Sequence, residues 1–255
     1  MSTVMSNVDR VNFMNERVRL IDANKTIEDM PLDGNPRVVL HMFPARPLED
    51  ADVAAALGLS RSAGVSSDLA NPGMLQPVTP GSFTRVRFDE DGVIIYTGYD
   101  SNTVRKKGGF DFADRTPTAN SYLRIFNSGI VEAVKASYYK GDKLLLHRRY
   151  EKDLLQAIPR FLKIQQALGV ELPIFVRLIL TGAMKCYIGD GDSKAVSGKI
   201  TSPQLRLPEV TLETFTPGER AQLAEIMRRP FYEIWRAAGL PRSMNYNEND
   251  EWAGY

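Results

Sequence analysis

Cys186, His41 and His147 are the only residues in this chain that could pair a soft nucleophile with an imidazole base. Cysteine proteases and acyl transferases need that pairing, with a third group orienting the base. Cys186 lies among Met184, Tyr187 and Ile188, where a free cysteine behaves as a small buried hydrophobe. His147 adjoins Arg148 and Arg149, which places it in a basic run. Neither position carries an orienting motif, and no Gly-x-Ser-x-Gly elbow offers a serine instead. Two histidines and one cysteine also leave no zinc-ligand pattern. Asp190-Gly191-Asp192 opens like a calcium loop, but Ala195 replaces the turn glycine and Thr201 the bidentate glutamate. Gly198-Lys199 approaches a phosphate loop, but Ser193 stands for its first glycine and Ile200 for the magnesium-binding hydroxyl. The expectation is no catalytic residue, no metal and no cofactor.

Basic and aromatic residues form the remaining chemical pattern. Tyr122, Arg124 and Phe126 alternate with Leu123 and Ile125, so they share one face of a strand. Arg85 and Arg87 share a face with Phe83, and Arg105-Lys106-Lys107 precedes two glycines. These eight residues, Arg85, Arg87, Arg105, Lys106, Lys107, Tyr122, Arg124 and Phe126, are the candidate nucleic-acid contacts, bases stacking on the rings and phosphates meeting the cations. A second role fits the same residues: Tyr122 and Phe126 packing under another element, with the Arg124 stem laid across them. The basic run continues through Lys140, Lys143, Arg148 and Arg149. Its charge is balanced nearby by Asp89, Glu90, Asp91, Asp111 and Asp114.

The elements that hold these residues are legible from periodicity and turn chemistry. A hairpin turns at Asn127-Ser128-Gly129, where Gly129 can supply positive φ. A second, Phe83 to Phe88 with Val93 to Tyr99, turns at Asp89-Glu90-Asp91-Gly92. The spacing of Val11, Met14, Val18 and Ile21 predicts an amphipathic helix over about 9–23. Arg37 to Phe43 reads as a buried strand. Residues 47–80 read as an exposed excursion with a short helix near Ala54 to Ser60.

Tyr150 to about Leu168 predicts a helix that Pro159 kinks or splits. Ile174 to Leu180 is apolar enough for a strand covered on both faces, with Met184 to Ile188 as its hairpin partner and a loop over 189–201. Thr216 is placed to cap the last helix, about 217–238, with Glu219 completing a capping box and Pro230 interrupting it. The tail around 245–250 is polar, and its order depends on Trp252 docking.

The composition is that of an ordinary globular chain: 255 residues, 43% hydrophobic and 25% charged, with a net charge of +1. That balance supplies no global field for wrapping nucleic acid, so any such binding must be local. One cysteine fits a reducing compartment, and neither a secretory signal nor a membrane span is apparent. The expectation is a cytoplasmic protein. Its fold class is α+β, a mainly antiparallel sheet built from hairpins and packed against several helices. It forms one compact domain or two packed lobes, about 1–148 and 149–255.

Three segments resemble one bacterial family. Glu16-Arg17-Val18-Arg19-Leu20 with Pro31-Leu32 and Arg37-Val38-Val39-Leu40-His41 is similar to the stretch that follows the Schlafen-type AlbA-like domain in large proteins labelled ATP-binding or DNA-binding. Tyr122 to Ala133 is similar to their hairpin, and Arg229-Pro230-Phe231-Tyr232-Glu233-Ile234-Trp235 through Ser243 to a segment near their end. The AlbA-like domain itself, to which nucleotide and nucleic-acid association is attributed, is expected to be absent, since Met1 to Val8 leaves no room for it. No catalytic or nucleotide-binding residue is therefore carried over. The resemblance implies a non-catalytic accessory or interaction module working with a nucleic-acid-associated partner, an AlbA-like protein or a second copy of the chain. Direct nucleic-acid binding through the local basic and aromatic face is the alternative. An uncharacterised hydrolase is a third, and needs carboxylates from separate strands to converge in one pocket.

Overall fold

Side chains alternate across a β-strand, so a strand apolar on both faces must be covered on both. Strand β1 (Arg37–Pro44) is buried along its whole length. Val38, Leu40 and Met42 point into one core and Val39 and Phe43 into another. The computed structural model describes residues 3–27, 30–32, 34–58, 82–99, 118–136, 145–190 and 194–254. Arg105, Lys106 and Lys107 lie outside the described residues, as do Lys140, Lys143 and most of the 47–80 excursion.

The main sheet contains β1, β2 (Ser82–Asp89), β3 (Gly92–Tyr99), β4 (Thr118–Phe126), β5 (Val131–Ala136), β7 (Ile174–Thr181), β10 (Gln204–Arg206) and β11 (Val210–Leu212). Its order is β10-β7-β1-β5-β4-β3-β2, with β11 also pairing β7, and every pairing is antiparallel. Helix α1 (Asn7–Asp22) covers one face. It is opened by a capping box in which Ser6 and Asp9 satisfy each other's backbone amides. Helices α3 (Tyr150–Ala167) and α4 (Arg220–Ala237) pack on the other. A short helix, α2 (Val53–Ala56), leans on that same side. The protein is α+β, with a mainly antiparallel sheet between helices.

Both expected hairpins form. In the β4–β5 turn Gly129 has φ 78°, and its amide donates to the Phe126 carbonyl at 2.8 Å. A Cβ there would lie 2.6 Å from Val170 Cγ2, so glycine is required by the close approach as well as by φ.

Four details differ from the reading of the sequence. Met184 to Ile188 does not pair with β7: the chain turns through Gly182 and Lys185, both at positive φ, into a separate sheet. There β8 (Tyr187–Asp190) runs parallel to β6 (Leu145–His147) and antiparallel to β9 (Lys194–Lys199). β9 occupies the expected 189–201 loop, because pairing with β8 overrides its polar, glycine-containing composition. Pro159 and Pro230 each lie inside one continuous helix. Neither proline splits its helix: each removes one ladder bond, and residues on both sides of it are buried in the same core. Finally, Glu219 rather than Thr216 is the N-cap of α4, in a box with Gln222. Gly218 at φ 83° stops the helix from extending back toward Thr216.

Candidate functional site

The candidate contacts on β4 face inward. Tyr122 is fully buried beneath α1, and its hydroxyl donates to Glu132 Oε1 at 2.8 Å. Glu132 sits on β5 directly opposite His41 on β1 and Arg124 on β4. Arg17 descends from α1 and grips both Glu132 oxygens at 2.8 and 2.7 Å. His41 Nε2 meets the same carboxylate at 2.9 Å, its ring stacked on Phe43 and edged by Phe13, and Nδ1 is buried without a hydrogen-bond partner. Burial alone would raise the Glu132 carboxyl, but Arg17 and His41 outweigh it and hold the group well below the carboxylate range. Burial pushes the Tyr122 phenol well above its ordinary value.

Phe126 packs beneath the guanidinium groups of Arg17 and Arg124, at 5.3 and 4.9 Å from its ring centre. Arg124 is buried and paired to Asp89 and Asp91 at 2.8 and 3.1 Å. Tyr122, Arg124 and Phe126 thus take the packing role of the two the sequence allowed, and none offers a stacking face to solvent. Arg85 is exposed and Arg87 half-buried on β2, in the cross-strand rows of Tyr122 and Arg124 but two strands away.

The nucleophile question has a clear geometry too. Cys186 is buried, its thiol pushed up to about 12 by desolvation, so it carries almost no thiolate at neutral pH. Among the described residues no group of three or more His, Cys, Asp or Glu side chains could hold a metal.

The side chains that do converge at the surface belong to the start of α3. A cavity of about 240 Å³ opens there, walled by His147, Arg148, Arg149, Lys152, Asn245 and Trp252. Arg149 is the N-cap of the 18-residue helix and makes no side-chain cap bond. The amides of the first turn lack partners within the helix, as at any helix start, and they sit among these cations together with Asp153, which pairs with Arg149 at 3.4 Å. Arg149 is exposed, Arg148 and Lys152 are half-buried, and the Arg149 amide donates to His147 Nδ1 at 3.0 Å.

A second buried carboxylate builds this wall. Glu151, in the first turn of α3, accepts from Trp235 Nε1 at 2.6 Å, Tyr150 Oη at 3.0 Å, Ser243 Oγ at 2.8 Å and Asn245 Nδ2 at 2.9 Å. Asn245 also donates to the Arg148 carbonyl at 3.1 Å. The C-terminal segment is thereby pinned to the helix start. Its Tyr246 meets Trp252 edge-to-face at 5.3 Å, and Gly254 lies against the indole so closely that a Cβ would fall 2.1 Å from it. Unlike Glu132, Glu151 has only neutral donors, and burial holds its carboxyl above the ordinary range in spite of four hydrogen bonds.

A neighbouring cavity of about 550 Å³ shares Arg149 and is lined further along by Gln156, Pro159, Arg160, Arg220 and Leu223. Of these wall residues only His147, Arg148 and Arg149 belong to the basic run read in the sequence. Lys152, Arg160, Arg220, Asn245 and Trp252 join it through folding. The available signal was a His-Arg-Arg run immediately ahead of a helix and a tryptophan in a polar tail. No family model matches the chain, and no curated protein matches it. Among the described residues no helix is long and apolar enough to cross a membrane.

Proposed function

We propose that the protein is a non-catalytic module that binds nucleic acid through the cleft at the start of α3. The observation that carries this reading is the cavity walled by His147, Arg148, Arg149 and Lys152 beside Trp252, at a helix N-terminus whose cap residue makes no side-chain cap bond. Cations that neutralise phosphates release counterions and dominate affinity for nucleic acid, helix N-termini favour anions, and an aromatic ring takes a base. The two buried glutamates serve the scaffold: Glu132 is consumed by Arg17, His41 and Tyr122, and Glu151 by four donors. Similarity of three segments to the region that follows an AlbA-like domain supports a setting in nucleic-acid-associated machinery, with any protein partner meeting it there.

Binding of labelled oligonucleotides, followed by fluorescence anisotropy, tests this reading. Affinity falls steeply between 50 and 200 mM salt, with a log–log slope reflecting about three to four phosphate contacts. Replacing Arg148, Arg149 and Lys152 by alanine lowers affinity and flattens that slope, whereas Arg85→Ala with Arg87→Ala leaves both unchanged. Salt-insensitive binding, no binding at low salt, or loss only in the β2 variant overturns it.

A further inference from the structure

Resting on that reading, we infer that the ligand is single-stranded, and that it runs from the Trp252 cavity along α3 into the Arg160–Arg220 cavity. The two cavities share Arg149, so they are successive parts of one surface rather than separate sites. Positions 149, 152, 156 and 160 recur at three or four residues, which places Arg149, Lys152, Gln156 and Arg160 along one side of the helix. From 149 to 160 that stripe extends roughly 16 Å at 1.5 Å per residue. Arg220 adds a cation from the start of α4 at the far end, beside the exposed N-cap residue Glu219.

The chemistry of the two ends differs. The first cavity holds a half-buried indole beside the amide of Asn245, with Gly254 against the ring and Tyr246 at its edge. The second has three arginines, Arg149, Arg160 and Arg220, around an apolar floor of Leu155, Pro159 and Leu223. An indole set in the wall of a cavity this small can stack only on a base that has left the duplex, since paired bases meet edge to edge and their faces are covered by the neighbouring stacked pairs. The arginine end reads phosphate. A base at Trp252 followed by phosphates along α3 is the arrangement of a single strand, and a duplex too wide for either cavity would meet only their rims.

The test uses the full chain with fluorescent U12 and T12, the matching 12-bp duplexes, a U3 trinucleotide, and inorganic polyphosphate as competitor. Single strands bind at least tenfold more tightly than duplexes, U12 more tightly than U3, and polyphosphate competes without reproducing the full affinity. Trp252→Ala loses about tenfold in single-strand affinity, as expected for one stacked base, and leaves the salt slope unchanged. Because Trp252 also anchors the tail, Trp252→Phe is the companion: it keeps a ring and retains part of the affinity. Arg160→Ala with Arg220→Ala, both exposed, abolishes the advantage of U12 over U3. Equal affinity for duplex and single strand, or full affinity in a folded Trp252→Ala protein, overturns the inference while the nucleic-acid reading stands. Failure of every oligonucleotide to bind at low salt overturns both.

Discussion

Replacing Arg17 by methionine removes the one guanidinium that pairs with Glu132 among the described residues and should be among the most damaging single changes in this protein. The Glu132 side chain is fully buried, and Arg17 supplies two charge-assisted bonds of 2.8 and 2.7 Å from α1. Without it the carboxylate keeps only Tyr122 and His41. His41 already meets Glu132 through Nε2, and its Nδ1 is buried without a hydrogen-bond partner, so the ring brings no further donor to the carboxylate. Breaking a buried pair by removing one partner costs about 3–5 kcal/mol, which for a chain of this size lowers Tm by on the order of 10 °C. Urea unfolding followed by the fluorescence of Trp235, a fully buried indole, measures it. Adding Glu132→Gln to Arg17→Met removes the orphaned charge while keeping an acceptor for Tyr122, and should recover a substantial part of the loss. An Arg17→Met protein within about 1 kcal/mol of the parent, or a double variant worse than the sum of its singles, would refute the reasoning that α1 is anchored through a charge.

The two buried glutamates should respond to pH with opposite signs. Glu132 titrates below its ordinary value of 4.5, so its contribution is present above that pH and is lost as pH falls below it; Glu151 titrates above 4.5, so its contribution is present below that pH and is lost as pH rises through the folded value. Urea unfolding of Glu151→Gln and the parent at pH 4 and pH 7 should therefore show a larger deficit for the variant at pH 4, and an equal deficit at both would remove the assignment. At the β4–β5 turn, Gly129→Ala combines a left-handed φ of 78° with a Cβ 2.6 Å from Val170 Cγ2. It should cost about 2 kcal/mol in the same assay.

Much of the scaffold could be read before folding because local signals agreed with the tertiary outcome. Gly129 and Gly92 mark turns that only positive φ allows, and the alternating residues of β1 and β4 already separate into the two faces that the helices cover. The misreadings at β8 and β9 come from tertiary pairing that local composition does not encode. β9 is polar and looked like a loop, and it is a strand because β8 needs a partner. Thr216 looked like a cap, but Gly218 at φ 83° moved the helix start to Arg220.

The candidate site was less legible. Tyr122, Arg124 and Phe126 fitted both a binding surface and a packed face, and nothing in the strand itself told that α1 would lie across them with Arg17 aimed at Glu132. Asn245 and Trp252 are about a hundred positions from Arg149 and reach it where Glu151 pins Ser243 and Asn245 to the first turn of α3, while Arg220 reaches the neighbouring cavity from the start of α4. A buried acidic residue next to a basic run carries no such instruction in one dimension.

Ultraviolet crosslinking of a bound single-stranded oligonucleotide, followed by mass spectrometry of the crosslinked peptides, tests the central claim most directly. Adducts are expected within His147 to Lys152 and at Trp252, lost when Arg149 and Lys152 are replaced by alanine. Adducts confined to β2 around Arg85 and Arg87, or no adduct under conditions where the strand is bound, would contradict it.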